Sequence, residues 1–156
     1  MTIAPIVRSV ALNVPPARAF ELFTSRMGQW WPNGRTIGAE PHATIVVEPY
    51  VDGRWFERDE AGRETAGGRV LAWEPPSRLL LGWQINRQIN GKFGFDPALL
   101  TEVEISFAAA DAGGTVVTLQ HRQLERFKAD AAGLAESIRG GRSDRMADFA
   151  RYADAA

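Results

Sequence analysis

Val70-Leu71-Ala72-Trp73-Glu74-Pro75-Pro76-Ser77-Arg78-Leu79-Leu80-Leu81-Gly82-Trp83-Gln84-Ile85 decides the fold. Two short runs rich in branched and aromatic residues flank a Pro-Pro pair, the pattern of consecutive antiparallel strands joined by a tight connection. In the second run Leu79, Leu81, Trp83 and Ile85 share one face and Arg78, Leu80, Gly82 and Gln84 the other, so the first face is expected to be buried. Upstream, Arg54-Trp55-Phe56-Glu57-Arg58 is a further strand, bounded by Asp52-Gly53 on one side and by a turn at 59–62 and Gly67-Gly68 on the other. The whole of 48–85 therefore reads as a meander, with one tryptophan on each of its three strands: Trp55, Trp73 and Trp83.

The same reasoning extends outward. Residues 3–14 alternate, with Val10, Leu12 and Val14 on one face and Arg8 as its polar exception, which predicts a half-buried strand. Pro15-Pro16 ends it, and proline suits a first helical position because its missing N–H has no partner to lose there. Over 17–26, Phe20, Phe23 and Met27, with Leu22 beside them, mark an amphipathic helix that Gly28 is expected to close. Trp30 and Trp31 precede Pro32, a poor place for helix to continue; one ring is expected to point in and the other partly out.

Residues 43–48 form another predicted strand. The long connection 86–98 carries an Asn90-Gly91 turn with Phe93 and Phe95, and loops of that length inside a domain are often functional. Beyond it, 101–107 alternates Val103, Ile105 and Phe107 against polar positions, and 115–122 alternates Val117, Leu119 and His121. That is an antiparallel pair with one wet face. The C-terminal third turns helical: Leu134 and Ile138 stand four apart, and Met146, Phe149, Ala150 and Ala153 repeat at helical spacing after Ser143, a good N-cap. One terminal helix over 143–152 is expected to cover the sheet.

Composition narrows the chemistry. The 156 residues are enough for one domain with a core of its own, and one domain over 1–156 is expected. The chain has no cysteine, so disulfides, thiol catalysis and cysteine-held zinc are excluded, and two histidines are too few for a histidine-rich metal site. Lys plus Arg is 18 and Asp plus Glu is 19, which leaves no field to draw nucleic acid or anionic lipid. No apolar run reaches the roughly twenty residues a membrane helix needs. A cytoplasmic location is expected. There is no nucleophile elbow, no phosphate-cradling glycine loop and no zincin pair; Gly62, Gly67 and Gly68 read as turn residues.

Taken together, Pro15-Pro16 through Phe23, Trp30-Trp31-Pro32, Glu48-Pro49 through Glu57, Gly68-Arg69-Val70 through Leu79 and Thr115 through His121 resemble the START-like (SRPBCC) superfamily. Within it, the chain is similar to the C-terminal domain of activators of the heat-shock-protein-90 ATPase. The run from Val70 to Leu79 is the most specific part. The resemblance implies an α+β helix-grip fold, a curved antiparallel sheet wrapped around a long C-terminal helix, often with a cavity between the two. Relatives commonly open that helix with Gly-Trp, whereas here Gly141 is followed by Arg142.

The residues placed to line such a cavity are Trp31, Trp55, Glu57, Trp73, Trp83, Phe107, His121, Met146 and Phe149. The large side chains among them serve equally well as plain core. His121 shares the alternation of Leu119, so its ring is expected to face inward, where it can donate to a ligand, move a proton or be held as a structural group. Glu57 shares a strand face with Trp55 and is a candidate base or acceptor, or else a partner of Arg54, Arg58 or Arg69. Three readings follow: a non-enzymatic domain binding a small apolar or aromatic molecule, as the first; a chaperone-activating interaction protein, implied by the resemblance; and a cyclase- or aromatase-type enzyme using His121 or Glu57. None of them requires a cofactor.

Overall fold

The meander is the middle of a larger antiparallel sheet in a computed structural model that describes residues 3–31, 42–87, 93–139 and 145–156. Among these residues the strands are β1 (Ile6–Leu12), β2 (His42–Val47), β3 (Arg54–Asp59), β4 (Glu64–Glu74), β5 (Arg78–Trp83), β6 (Ile85–Arg87), β7 (Phe93–Phe95), β8 (Thr101–Ala109) and β9 (Thr115–Arg122). Seven of them join in the order β1-β9-β8-β5-β4-β3-β2, every pair antiparallel, and β6 pairs with β7 in a separate hairpin. The helices are α1 (Pro16–Ser25), α2 (Met27–Trp30), α3 (Ala131–Arg139) and α4 (Arg145–Ala155), with a 3-10 stretch at Leu124–Asp130. This curled half-barrel with helices on its concave side is the helix-grip fold.

Side-chain periodicity builds the core. Phe20 and Phe23 of α1 meet Phe107 of β8 at 5.1 and 5.8 Å, and Phe149 of α4 closes on Phe23 at 5.1 Å and on Trp30 at 5.2 Å. Val70, Leu79, Leu81, Ile105 and Val117 floor this cluster from the sheet. Ile6, Leu99, Leu124, Phe127, Ala131 and Ala135 make a second cluster under α3. Trp30 is buried and Trp31 half-buried, the division expected for that pair.

Three expectations need correction. Gly28 does not end the helical segment: a further turn, α2, contains it, and a Cβ there would lie 2.6 Å from the Ile45 nitrogen. Its role is to let α2 touch β2. Gly67 and Gly68 are not turn residues but lie inside β4, which runs for 11 residues, and a Cβ on Gly68 would fall 1.8 Å from the Gly82 carbonyl oxygen. Ile85 leaves β5 after Gln84 and pairs with Phe95, so the connection 86–98 contains a strand; the Asn90-Gly91 turn lies outside the described residues. The C-terminal third is helical as expected: a 3-10 stretch and α3 lead to the terminal helix α4; Ser143 and the Gly140-Gly141-Arg142 segment lie outside the described residues.

Candidate functional site

A missing side chain organises the concave face. Gly68 pairs with Trp55 of β3 on one side and with Trp83 of β5 on the other. Because the intervening strand offers no side chain at that point, the two indoles meet across it with ring centroids 5.6 Å apart. Trp31, the residue after α2, is extended (ψ 125°), as a residue before proline prefers, and its ring meets Trp55 edge-on at 6.4 Å. At the other end Trp83 approaches His121 at 5.0 Å, and His121 approaches Phe127 at 6.2 Å. The Trp83 indole N–H donates to the Ile85 carbonyl at 2.9 Å, which fixes its tilt. The result is a continuous row, Trp31–Trp55–Trp83–His121, drawn from the residue that follows α2 and three different strands.

Beside this row lies a cavity of about 30 Å³ lined by Trp31, Ile45, Trp55, Phe56, Glu57, Gly67 and Ile85. That volume holds a water molecule and little more. Glu57 is buried here, at 8 % exposure. Its neighbours in sequence take the opposite face: Arg54 and Arg58 both pair with Glu64 and both stand over the Phe56 ring. The strand alternation thus sends the arginines outward and the carboxylate inward, to an apolar lining with one acid in it.

His121 is enclosed, with 3 % of its surface exposed, and its Nε2 lies 2.8 Å from the Thr101 hydroxyl. Burial pushes its pKa down to about 4, so the ring is neutral at pH 7. In the unfolded chain the ring titrates near its ordinary value of 6.5. The stability due to the neutral ring is therefore complete above about 6.5 and is lost as the pH falls towards 4, a change of about 3 kcal/mol. His121→Gln keeps a hydrogen-bonding group without the titration. Urea unfolding is expected to show the wild type losing that much relative to the variant between pH 7 and pH 4; parallel pH profiles would contradict the assignment.

Of the nine residues expected at a cavity, the structure brings together Trp31, Trp55, Glu57, Trp83 and His121. Phe107, Met146 and Phe149 are elsewhere: they fill the interior, with Met146 and Phe149 at 1 % and 0 % exposure, and line neither this cavity nor the groove beside α1. Trp73 is also apart, packed edge-on against Phe20 at 5.0 Å and facing an open groove of about 720 Å³ between α1 and β2. Two contributors escaped the sequence reading. Thr101 is an ordinary strand residue until its partner is known, and Arg145, whose guanidinium stands 5.0 Å over the Trp31 ring, is brought there only by α4 packing beside α2. Among the described residues no group of three acidic or histidine side chains is placed to hold a metal, and no helix is long and apolar enough to cross a membrane.

A curled antiparallel sheet closed by helices is the architecture of a START-like domain. Residues 13–152 match the family described as Activator of Hsp90 ATPase homolog 1-like protein, and the chain belongs to that family. Among solved structures it is similar to an anthrahydroquino-γ-pyrone synthase, Txn09, complexed with SUM (32 % identity, TM-score 0.65, covering 96 % of this chain and 97 % of that one). It is also similar to the self-sacrificing resistance protein CalC from Micromonospora echinospora (26 % identity, TM-score 0.66, covering 97 % and 95 %). Protein MLL2253 from Mesorhizobium loti shares the fold at 18 % identity (TM-score 0.68, covering 97 % and 98 %). No curated protein matches the chain.

Proposed function

We propose that the protein binds a small planar aromatic molecule on the concave face of its sheet, stacked along Trp31, Trp55 and Trp83, with Glu57 as the polar anchor. The observation that carries this reading is the convergence of two indoles, Trp31 and Trp55, and a buried carboxylate on one cavity, with Trp83 packed against Trp55 beside it, since ligand sites are mostly apolar with a few placed polar groups. The cavity as it stands admits one water, so a ligand enters by parting Trp31 from Ile85. Trp31 follows a four-residue helix and Ile85 opens a three-residue strand, and short elements open more easily than long ones. The similarity to a synthase of a fused aromatic product supports a ligand of that shape.

Calorimetric titration with a dihydroxyanthraquinone tests the proposal. Wild type is expected to bind saturably, and Glu57→Gln to weaken binding by roughly ten- to a hundredfold, as loss of a buried hydrogen bond to a charged group does. Equal affinities would remove Glu57 from the site, and absence of binding would remove the site itself. A catalytic reading is favoured by one observation, the 32 % identity to the synthase. In that case Glu57 acts as the acid–base group, because His121 lies behind Trp83 with its Nε2 engaged by Thr101. Conversion of the ligand by wild type, slowed about a hundredfold or more in Glu57→Gln, is the mark of that reading; a bound ligand recovered unchanged marks the first. A chaperone partner rests on the family description alone, and a cytoplasmic location on the sequence expectation.

A further inference from the structure

The groove between α1 and β2 takes no part in the aromatic-ligand reading, and its two walls differ in kind. Ala17, Phe20, Glu21 and Thr24 of α1 face it at helical spacing, while β2 contributes four consecutive residues, Thr44 to Val47. Consecutive side chains of a strand point to opposite faces, so what these four share is the backbone edge of β2, the outermost strand of the sheet. We infer that this groove receives an extended peptide with a basic side chain, which adds to the edge of β2 as a further strand and sets its cation at Glu21. The inference goes beyond the aromatic-ligand reading and does not depend on it.

The strand register shows which backbone groups are offered. Val47 lies opposite Trp55, and in the next pair the Glu48 N–H donates to the Arg54 carbonyl at 3.0 Å, so Glu48 turns its backbone toward β3. The direction alternates along an antiparallel strand. The N–H and C=O of Val47 therefore point away from β3, and no partner meets them among the described residues. Ile45 turns the same way, but its nitrogen faces Gly28, where a Cβ would stand 2.6 Å from it, so α2 closes that end of the edge. The α1 wall offers no free hydroxyl donor, since Thr24 donates to the Phe20 carbonyl at 2.8 Å and Ser25 to the Glu21 carbonyl at 2.6 Å. Glu21 is the charged group of the lining, and Arg18 meets only its Oε1, in an exposed pair of the weak kind. Apolar walls, one anion, and a backbone donor and acceptor side by side call for an occupant that supplies a cation together with an acceptor and a donor. A strand carrying lysine or arginine does so, its backbone pairing with the edge and its side chains filling the pockets. The groove follows β2 for four residues, about 10 Å at the rise of a strand. Because α1 walls it, the edge admits a single chain more readily than the sheet of a second copy.

The test follows the indole N–H resonance of Trp73, which lines the groove, while the full chain is titrated with a capped valyl-lysyl-valine amide. That signal is expected to shift saturably and those of Trp31, Trp55 and Trp83 to stay in place. The same peptide methylated on its backbone nitrogens is expected to bind about tenfold more weakly, as loss of a hydrogen bond does. The norleucine analogue is expected to bind about three- to fivefold more weakly, a difference that added salt reduces. In Glu21→Gln the lysine and norleucine peptides are expected to bind alike. An unmoved Trp73 signal, equal binding of the methylated peptide, or a lysine preference that survives in Glu21→Gln would overturn the inference. So would n-butylamine binding as tightly as the peptide, which would make the groove a small-molecule site, or a dimer in sedimentation that the peptide dissociates, which would assign the edge to a second copy. The comparison with the methylated peptide is read on wild type and does not depend on whether the variant folds. None of these outcomes touches the anthraquinone reading, whose reporters are the other three indoles.

Discussion

Gly68→Ala is expected to unfold the protein or to destabilise it by about 4 kcal/mol or more, the range of a severe single substitution. The added methyl carbon would stand 1.8 Å from the Gly82 carbonyl oxygen and 3.0 Å from Cε3 of Trp55. Neither obstacle can step aside cheaply. Gly82 is held in register between Arg69 and Glu102 on its two neighbouring strands, and Trp55 is wedged between Trp31 and Trp83. Any variant that does fold must spread the two indoles, so the near-ultraviolet circular dichroism of the tryptophans is expected to change with stability. A soluble, cooperative variant within about 1 kcal/mol of wild type would mean that the indoles do not meet across this glycine.

Phe149→Ala is expected to cost about 3 to 5 kcal/mol, the loss found when a large aromatic side chain is cut from a core that cannot collapse into the space. Phe149 has no exposed surface and is clasped by Phe23 and Trp30. It is the point at which α4 is joined to both N-terminal helices. For a chain of this size the melting temperature is expected to fall by roughly 10 °C. A loss under about 1 kcal/mol would show that α4 rests on the sheet without being locked to it, and would also free Arg145 from its place over Trp31.

Much of the fold is legible in the order of residues because periodicity is a local property. Leu79 and Leu81, Val103, Ile105 and Phe107, and Met146, Phe149 and Ala153 each declare a buried face, and all of them are buried. Glycine is where the reading fails. A glycine that supplies a turn and one that admits a neighbouring backbone look alike in sequence, so Gly67-Gly68 reads as punctuation when it lies inside the longest strand. Starting that strand at Val70 instead of Glu64 hides the site, because Trp55 and Trp83 are brought together by what stands between them. Trp73 fails for a related reason. Bulges in β4, at its pairing with Trp55 and Phe56 and between Val70 and Ala72, reset the alternation, and the ring turns to Phe20 at the far end of the sheet. Arg145 and Thr101 carry no local signal; helix docking and cross-strand diagonal contact place them.

The central claim is that ligand and tryptophan row meet, and the indole N–H resonances of the five tryptophans report on it one ring at a time. In a titration with a dihydroxyanthraquinone followed by nitrogen-edited proton spectra, the Trp31, Trp55 and Trp83 signals are expected to shift together and saturably, while that of Trp73, in the groove beyond α1, stays in place. A shift confined to Trp73, or five unmoved resonances at saturating ligand, would contradict the account.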